Sequence, residues 1–162
     1  MGQARDIMDR LSGALTAGDR AAITGLYAPD AVLETPDGPR IDGAEAIADY
    51  FAALARAFPD LSFQLVAGYE IGNTAIDEGF VVATHEGVLT TPDGDIGPTG
   101  RSLRLRECDV ATIEDGVVTR HRMYFDQLDF LTQLGLADAG ASAGAVPAPR
   151  AGGEQAAEVP AG

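Results

Sequence analysis

Lysine and tryptophan are absent from this chain, cysteine occurs once and histidine twice. With no lysine, all 11 basic residues are arginine, and they face 25 acidic ones for a net charge of −14. A chain this short of positive charge lacks the basic footprint that nucleic acid phosphates require, and an anionic membrane surface would repel it. The missing lysine, beside abundant Ala, Gly and Asp, reads as the codon bias of a GC-rich genome. A lone Cys108 cannot form an intramolecular disulfide, so a reducing, cytoplasmic setting is expected. It lies in an apolar-alternating stretch and reads as a sheet residue, not a nucleophile. His85 and His121 have no HExxH-like carboxylate spacing, so no metal is expected. Gly94, Gly97 and Gly100 do not open a helix, so there is no phosphate loop, and no nucleophile elbow is present. No apolar run approaches the ~20 residues of a membrane span, and the N-terminus lacks the basic-then-apolar pattern of a secretory signal.

What remains is an ordinary globular composition, 46% hydrophobic over 162 residues, enough for one domain with a substantial core. Ile7, Met8, Leu11, Ala14 and Leu15 recur at three and four and predict a helix over 4–17, ended by Gly18. Asp19 caps a second, short helix with Ile23, Leu26 and Tyr27 on its inner side. A brief strand, Ala31–Thr35, runs into the turn Thr35-Pro36-Asp37-Gly38. Asp42 with Glu45 forms a box-like cap for a third helix reaching about Ala57. Its buried stripe is Ile47, Tyr50, Phe51, Leu54 and Phe58, and Pro59 blocks continuation. From Leu61 the period changes to two. Strands are predicted from Leu61 to about Tyr69, Asp77 to Leu89, Arg101 to Ile113 and Val117 to Phe125, with a polar loop over Thr91–Gly100. Helices first and long hairpin-linked strands after predict an α+β domain, its helices packed on one face of a curved antiparallel sheet. Beyond Leu136 the Ala/Gly/Pro-rich composition predicts a disordered tail over 137–162.

The last strand carries the chemistry. After the turn pair Asp115-Gly116 it reads VVTRHRMYF and gives out at Asp126. A carboxylate buried at a strand end has its ionised form disfavoured and its pKa raised, as a general acid or base near neutral pH requires. Asp126 is equally placed to cap the short helix that follows. Arg122, Tyr124 and Asp126 share one strand parity and His121 the other, unless a bulge intervenes. Glu34, Glu86 and Glu107 are strand carboxylates of open orientation. His85 reads either as a hydrogen-bonded sheet residue or as a pocket residue.

GDRAAITGLYAPDAVLETPDGPRIDGAEAIADYFAALARAFPDLSF resembles the N-terminal half of the SnoaL-like polyketide cyclases, within the NTF2-like superfamily. THEGVL and PTGRSLRLRECDVATIEDGVVTRHRMYFDQLDFLTQLGL resemble the second half. The likeness spans residues 3–136, and it implies an NTF2-like cone with N-terminal helices on a strongly curved mixed or antiparallel sheet, in a domain over 1–136. It further implies a cofactor-free cyclase that closes a ring of a polyketide-type ester by intramolecular aldol condensation, on an apolar or aromatic small molecule. Asp126 falls where that family has its general acid/base, and His121 falls where a histidine is common. Tyr124, His85, Arg122 and Tyr50 are then the candidate substrate contacts, Tyr124 as a donor to a developing enolate. A homodimer or homotetramer is expected from the same likeness. Two alternatives stay open: epoxide opening by an Asp–Arg–Asp arrangement of Asp126, Arg104 or Arg106 and Asp109, and a non-catalytic binding or assembly module.

Overall fold

The computed structural model describes residues 2–137; apart from Ala137, the predicted tail lies outside them. The chain order is α1 (Gln3–Ala17), α2 (Arg20–Leu26), β1 (Tyr27–Glu34), β2 (Ile41–Asp42), α3 (Ala44–Ala57), β3 (Ser62–Ile71), β4 (Thr74–Thr84), β5 (Leu89–Thr91), β6 (Gly94–Ile96), β7 (Ser102–Glu114), β8 (Val117–Phe125) and α4 (Gln127–Gln133). Six strands form one curved sheet in the order β2-β1-β8-β7-β4-β3, and β5-β6 form a separate hairpin. All pairings are antiparallel except β1 with β8, so the sheet is mixed. Parallel pairing needs a long crossover; here everything from α3 to β7 lies between the two strands in sequence.

The predicted helices form where their apolar periods placed them. Gly18 ends α1 at φ 62°, a conformation that favours glycine, and its N–H bonds the carbonyl of Leu15 at 3.1 Å. Asp19 caps α2 by accepting the Ala22 N–H at 3.0 Å. Met8, Leu11, Ile23, Leu33, Ile47 and Val118 are buried together between α1–α3 and the sheet. A second cluster, with Phe58, Ala83, Leu103, Leu105 and Leu134, closes the other end.

Several boundaries differ from the sequence reading. Tyr27 opens β1 and does not end α2. Asp42 does not cap α3: as part of β2 it pairs with Val32 of β1 and binds Arg40, while Gly43, at φ 92°, turns the chain into the helix. β4 stops at Thr84, and a β5–β6 hairpin over Leu89–Ile96 overlaps the end of the predicted strand and most of the predicted polar loop.

One ion pair pins α1 to the sheet. The Arg5 guanidinium grips the Asp77 carboxylate with two hydrogen bonds, the second at 2.9 Å. Both residues are buried. The same helix turn is tied to β3 through the Arg5 backbone N–H, donated to Glu70 at 2.7 Å.

Candidate active site

The sheet's inner face decides which side chains meet a guest. On β7 the inward residues are Leu103, Leu105, Glu107, Asp109, Ala111 and Ile113, an unbroken odd-numbered series. On β8 the register slips between Thr112 and Ile113: Ile113 faces Val118, but Thr112 faces Arg120. Thr119 is the extra residue of a bulge, which shifts the inward set by one. Val118 is inward before the bulge; His121, Met123 and Phe125 are inward after it. A cavity of about 110 Å³ opens between the two core clusters. It has room for on the order of eight waters at ~10–15 Å³ of water-centre volume each, about the size of one or two fused rings. Its walls are mainly Tyr50, Leu54, Phe58, Phe63, Val81 and Phe125. Into this apolar room project three carboxyl groups: Asp37 from the turn after β1, and Glu107 and Asp109 from β7.

Glu107 is 4% exposed. Burial pushes its carboxyl well above the ordinary range, and the facing charges of Asp109 and Asp37 push it further the same way. Both effects favour the neutral form of Glu107, in which its carboxyl can donate a hydrogen bond. The Tyr50 hydroxyl is likewise held in its neutral form, by burial first and then by Asp37 and Glu107. Asp37 Oδ1 is buried with no hydrogen-bond partner, which leaves one carboxylate oxygen free to accept a proton. Behind Asp109 runs a buried chain: Tyr27 Oη to His121 Nδ1 at 2.6 Å, and His121 Nε2 to Asp109 Oδ1 at 3.3 Å. Burial raises the Tyr27 pKa well above its usual value, so its hydroxyl keeps its proton. His121 thus bridges Tyr27 through Nδ1 and Asp109 through Nε2, using both ring nitrogens.

The six residues singled out from the sequence fall into three groups. Tyr50 lines the cavity. His121 is fully buried on the inner face and reaches the cavity through Asp109. The other four are elsewhere. Asp126 is exposed and caps α4, accepting the Asp129 N–H at 3.0 Å; the expected buried carboxylate is not there, because the strand ends beyond the cavity rim. Tyr124, 52% exposed, and Arg122 lie on the outer face, since the bulge turned their parity away. His85 is buried against the Phe58 ring at 5.2 Å, with Nδ1 held by Thr99; it is a sheet-end residue outside the cavity, and burial lowers its pKa. The Asp–Arg–Asp arrangement does not form either. Arg104 lies over the outer face of Phe80, 3.4 Å from the ring centroid, and Arg106 is beside it. Asp126→Ala is thus expected to lose about 1 kcal/mol of stability through the cap and to leave turnover unchanged, which a urea titration and an activity assay on one preparation would read.

Glu107 and Asp109 were legible in principle: they share the parity of Leu103, Leu105, Ala111 and Ile113. Asp37 gave no such signal, since its TPDG context reads only as a turn. Among the described residues no three His, Cys, Asp or Glu side chains converge as metal ligands, and no helix is long and apolar enough to cross a membrane.

The family model of the SnoaL-like domain matches residues 8–121. The Steroid Delta-isomerase of Nocardioides simplex is 35% identical over 96 residues, 54% of this chain and 78% of that protein. Among solved structures, a protein assigned as a SnoaL-like polyketide cyclase from Jannaschia sp. CCS1 superposes with TM-score 0.73 at 18% identity, covering 84% of this chain and 94% of that one. IdmH of Streptomyces antibioticus, assigned as a polyketide cyclase, superposes with TM-score 0.68 at 24% identity, covering 83% and 99%. These two likenesses carry the fold. With helices over a curved mixed sheet, and with more than half its length matched by the domain model, the chain belongs to the SnoaL-like family of the NTF2-like fold.

Proposed function

We propose that this protein abstracts a proton next to a carbonyl in an apolar, ring-bearing small molecule, without a cofactor. The observation that carries the reading is the cavity's polar inventory: the three carboxyl groups of Asp37, Glu107 and Asp109, the first with an unpartnered oxygen, and the Tyr50 hydroxyl, with burial favouring the neutral forms of Glu107 and Tyr50, in mainly apolar walls. Asp37 takes the proton from carbon, and the electron pair moves onto the carbonyl oxygen. Protonated Glu107 and the Tyr50 hydroxyl donate hydrogen bonds to that oxygen. A carboxylic acid kept neutral by an apolar site is an effective donor to an enolate, and such donors act most strongly where water is excluded. His121, fixed by Tyr27, is a positioning residue that orients Asp109.

Two outcomes follow from one enolate. Returning the proton to another carbon shifts a double bond; the 35% identity to a steroid isomerase favours this. Attack of the enolate carbon on a second carbonyl closes a ring, as in aldol cyclisation of a polyketide-type ester. This second reading is favoured by a groove of about 640 Å³ that shares Asp37, Tyr50, Leu54 and Phe130 with the cavity and gives an extended chain room to fold back. The test is NMR of a cyclic enone or β-ketoester in deuterated water with the protein present. Deuterium is expected to enter the α position faster than in buffer; no acceleration across a panel of such carbon acids would sink the reading. Two copies are expected to pair through the exposed sheet face around Phe80 and Tyr124, which size-exclusion at micromolar concentration would show.

Glu107 also gives the fold a pH dependence. Its pKa is higher folded than unfolded, so its stabilisation is complete below the ordinary carboxylate range and is lost as pH rises through the raised value. Glu107→Gln cannot ionise. Its urea midpoint relative to the parent is expected to climb as pH rises above the ordinary carboxylate range; parallel curves would contradict a buried Glu107 with a raised pKa.

A further inference from the structure

We propose that the guest of this cavity carries a protonated or quaternary amine on an apolar ring system. Among the described residues the lining has three carboxyl groups and no cationic side chain. The arginines that could have neutralised them are committed elsewhere: Arg5 to Asp77, and Arg104 and Arg106 to the outer ring of Phe80. The ring nitrogen that reaches this carboxyl group set is His121 Nε2, and it bonds Asp109.

Glu107 supplies an independent sign that something is missing. It is more than nine-tenths buried and faces the cavity, with two neighbouring carboxylates raising the cost of its charge and no donor offsetting it among the described residues. The carboxyl groups do not converge as metal ligands would; they are spread around a room large enough for a bulkier cation. The walls suit such a cation as well, because Phe58, Phe63, Phe125 and Phe130 present ring surfaces, and aromatic faces attract ammonium groups. The approach has the same sign. The adjoining groove is lined by Asp93, Asp95 and Asp37, and the chain's charge of −14 draws cations inward and repels anions.

An anionic guest would add negative charge to a cavity already lined by carboxyl groups, and a neutral one would leave their repulsion in place. An ammonium relieves it. This deepens the proton-abstraction reading by naming the charge class of the substrate. It rests on that reading for turnover, but the charge preference is read by binding alone.

The experiment is calorimetric titration of the full chain with benzyltrimethylammonium, with its uncharged isostere neopentylbenzene and with phenylacetate, in one buffer–cosolvent mixture. The ammonium is expected to bind about tenfold more tightly than the isostere, and phenylacetate not at all. In Asp37→Asn the gap between ammonium and isostere is expected to narrow. Failure of the ammonium to bind, or equal or tighter binding of the isostere, overturns the inference. α-Deuteration of a neutral ketone without any ammonium preference sinks this inference and spares the enolisation; ammonium preference without deuteration does the reverse.

Discussion

Asp37→Asn is expected to slow α-proton exchange by about 10²–10⁴-fold while the protein remains folded. The amide keeps the size of the side chain but cannot take a proton from carbon. Asp37 sits on a turn where the cavity meets the groove, and one of its oxygens is buried and unpartnered. Little structure depends on that oxygen, so the loss should fall on kcat and leave the melting temperature nearly unmoved. Exchange followed by NMR, beside a thermal melt of the same sample, separates the two. A variant with undiminished exchange would remove Asp37 as the base and leave Asp109 as the remaining carboxylate in the cavity to test.

Asp77→Ala is expected to lose about 3–5 kcal/mol of stability, because it strands a buried guanidinium without its partner. Asp77 is 2% exposed, and Arg5 holds it with both terminal nitrogens. Asp9, the other carboxylate on Arg5, lies on the surface side of α1 and cannot replace it. The double substitution Arg5→Met with Asp77→Leu should recover much of the loss, since apolar residues of similar volume remove both charges together. Urea unfolding of the single and double variants measures this, and a small loss in Asp77→Ala would mean the pair is wetter than its burial indicates.

The architecture was readable because its signals were local. Helical periods at Ile7–Leu15 and Ile47–Leu54, and alternation from Leu61 onward, name elements that a chain of this size can bury in few ways. The site was less readable because it depends on which strand face is wet, and that is a long-range fact. A single extra residue at Thr119 reversed the parity of everything after it on β8. Arg122 and Tyr124 do share a face, but it is the outer one, and Asp126 lies past the strand's end. On β7, without a bulge, parity held from Leu103 to Ile113, and Glu107 and Asp109 were there to be found beside the leucines. Asp126 shows a different limit. The same position at a strand end serves a helix cap or a buried acid, and only the distance from strand end to cavity decides between them. The proposed chemistry therefore draws on the carboxyl groups that line the cavity and not on Asp126.

The bulge at Thr119 also bears on how such a scaffold acquires new chemistry. Pairing β8 without that slip, with every residue kept, would present Arg122 and Tyr124 to the guest in place of His121, Met123 and Phe125, and an acid-lined chamber would gain a cation without any change of side-chain identity. A one-residue change of register in this hairpin is thus a shorter route to altered substrate charge than point replacement. Relatives should differ in their ligands according to whether they keep this slipped register.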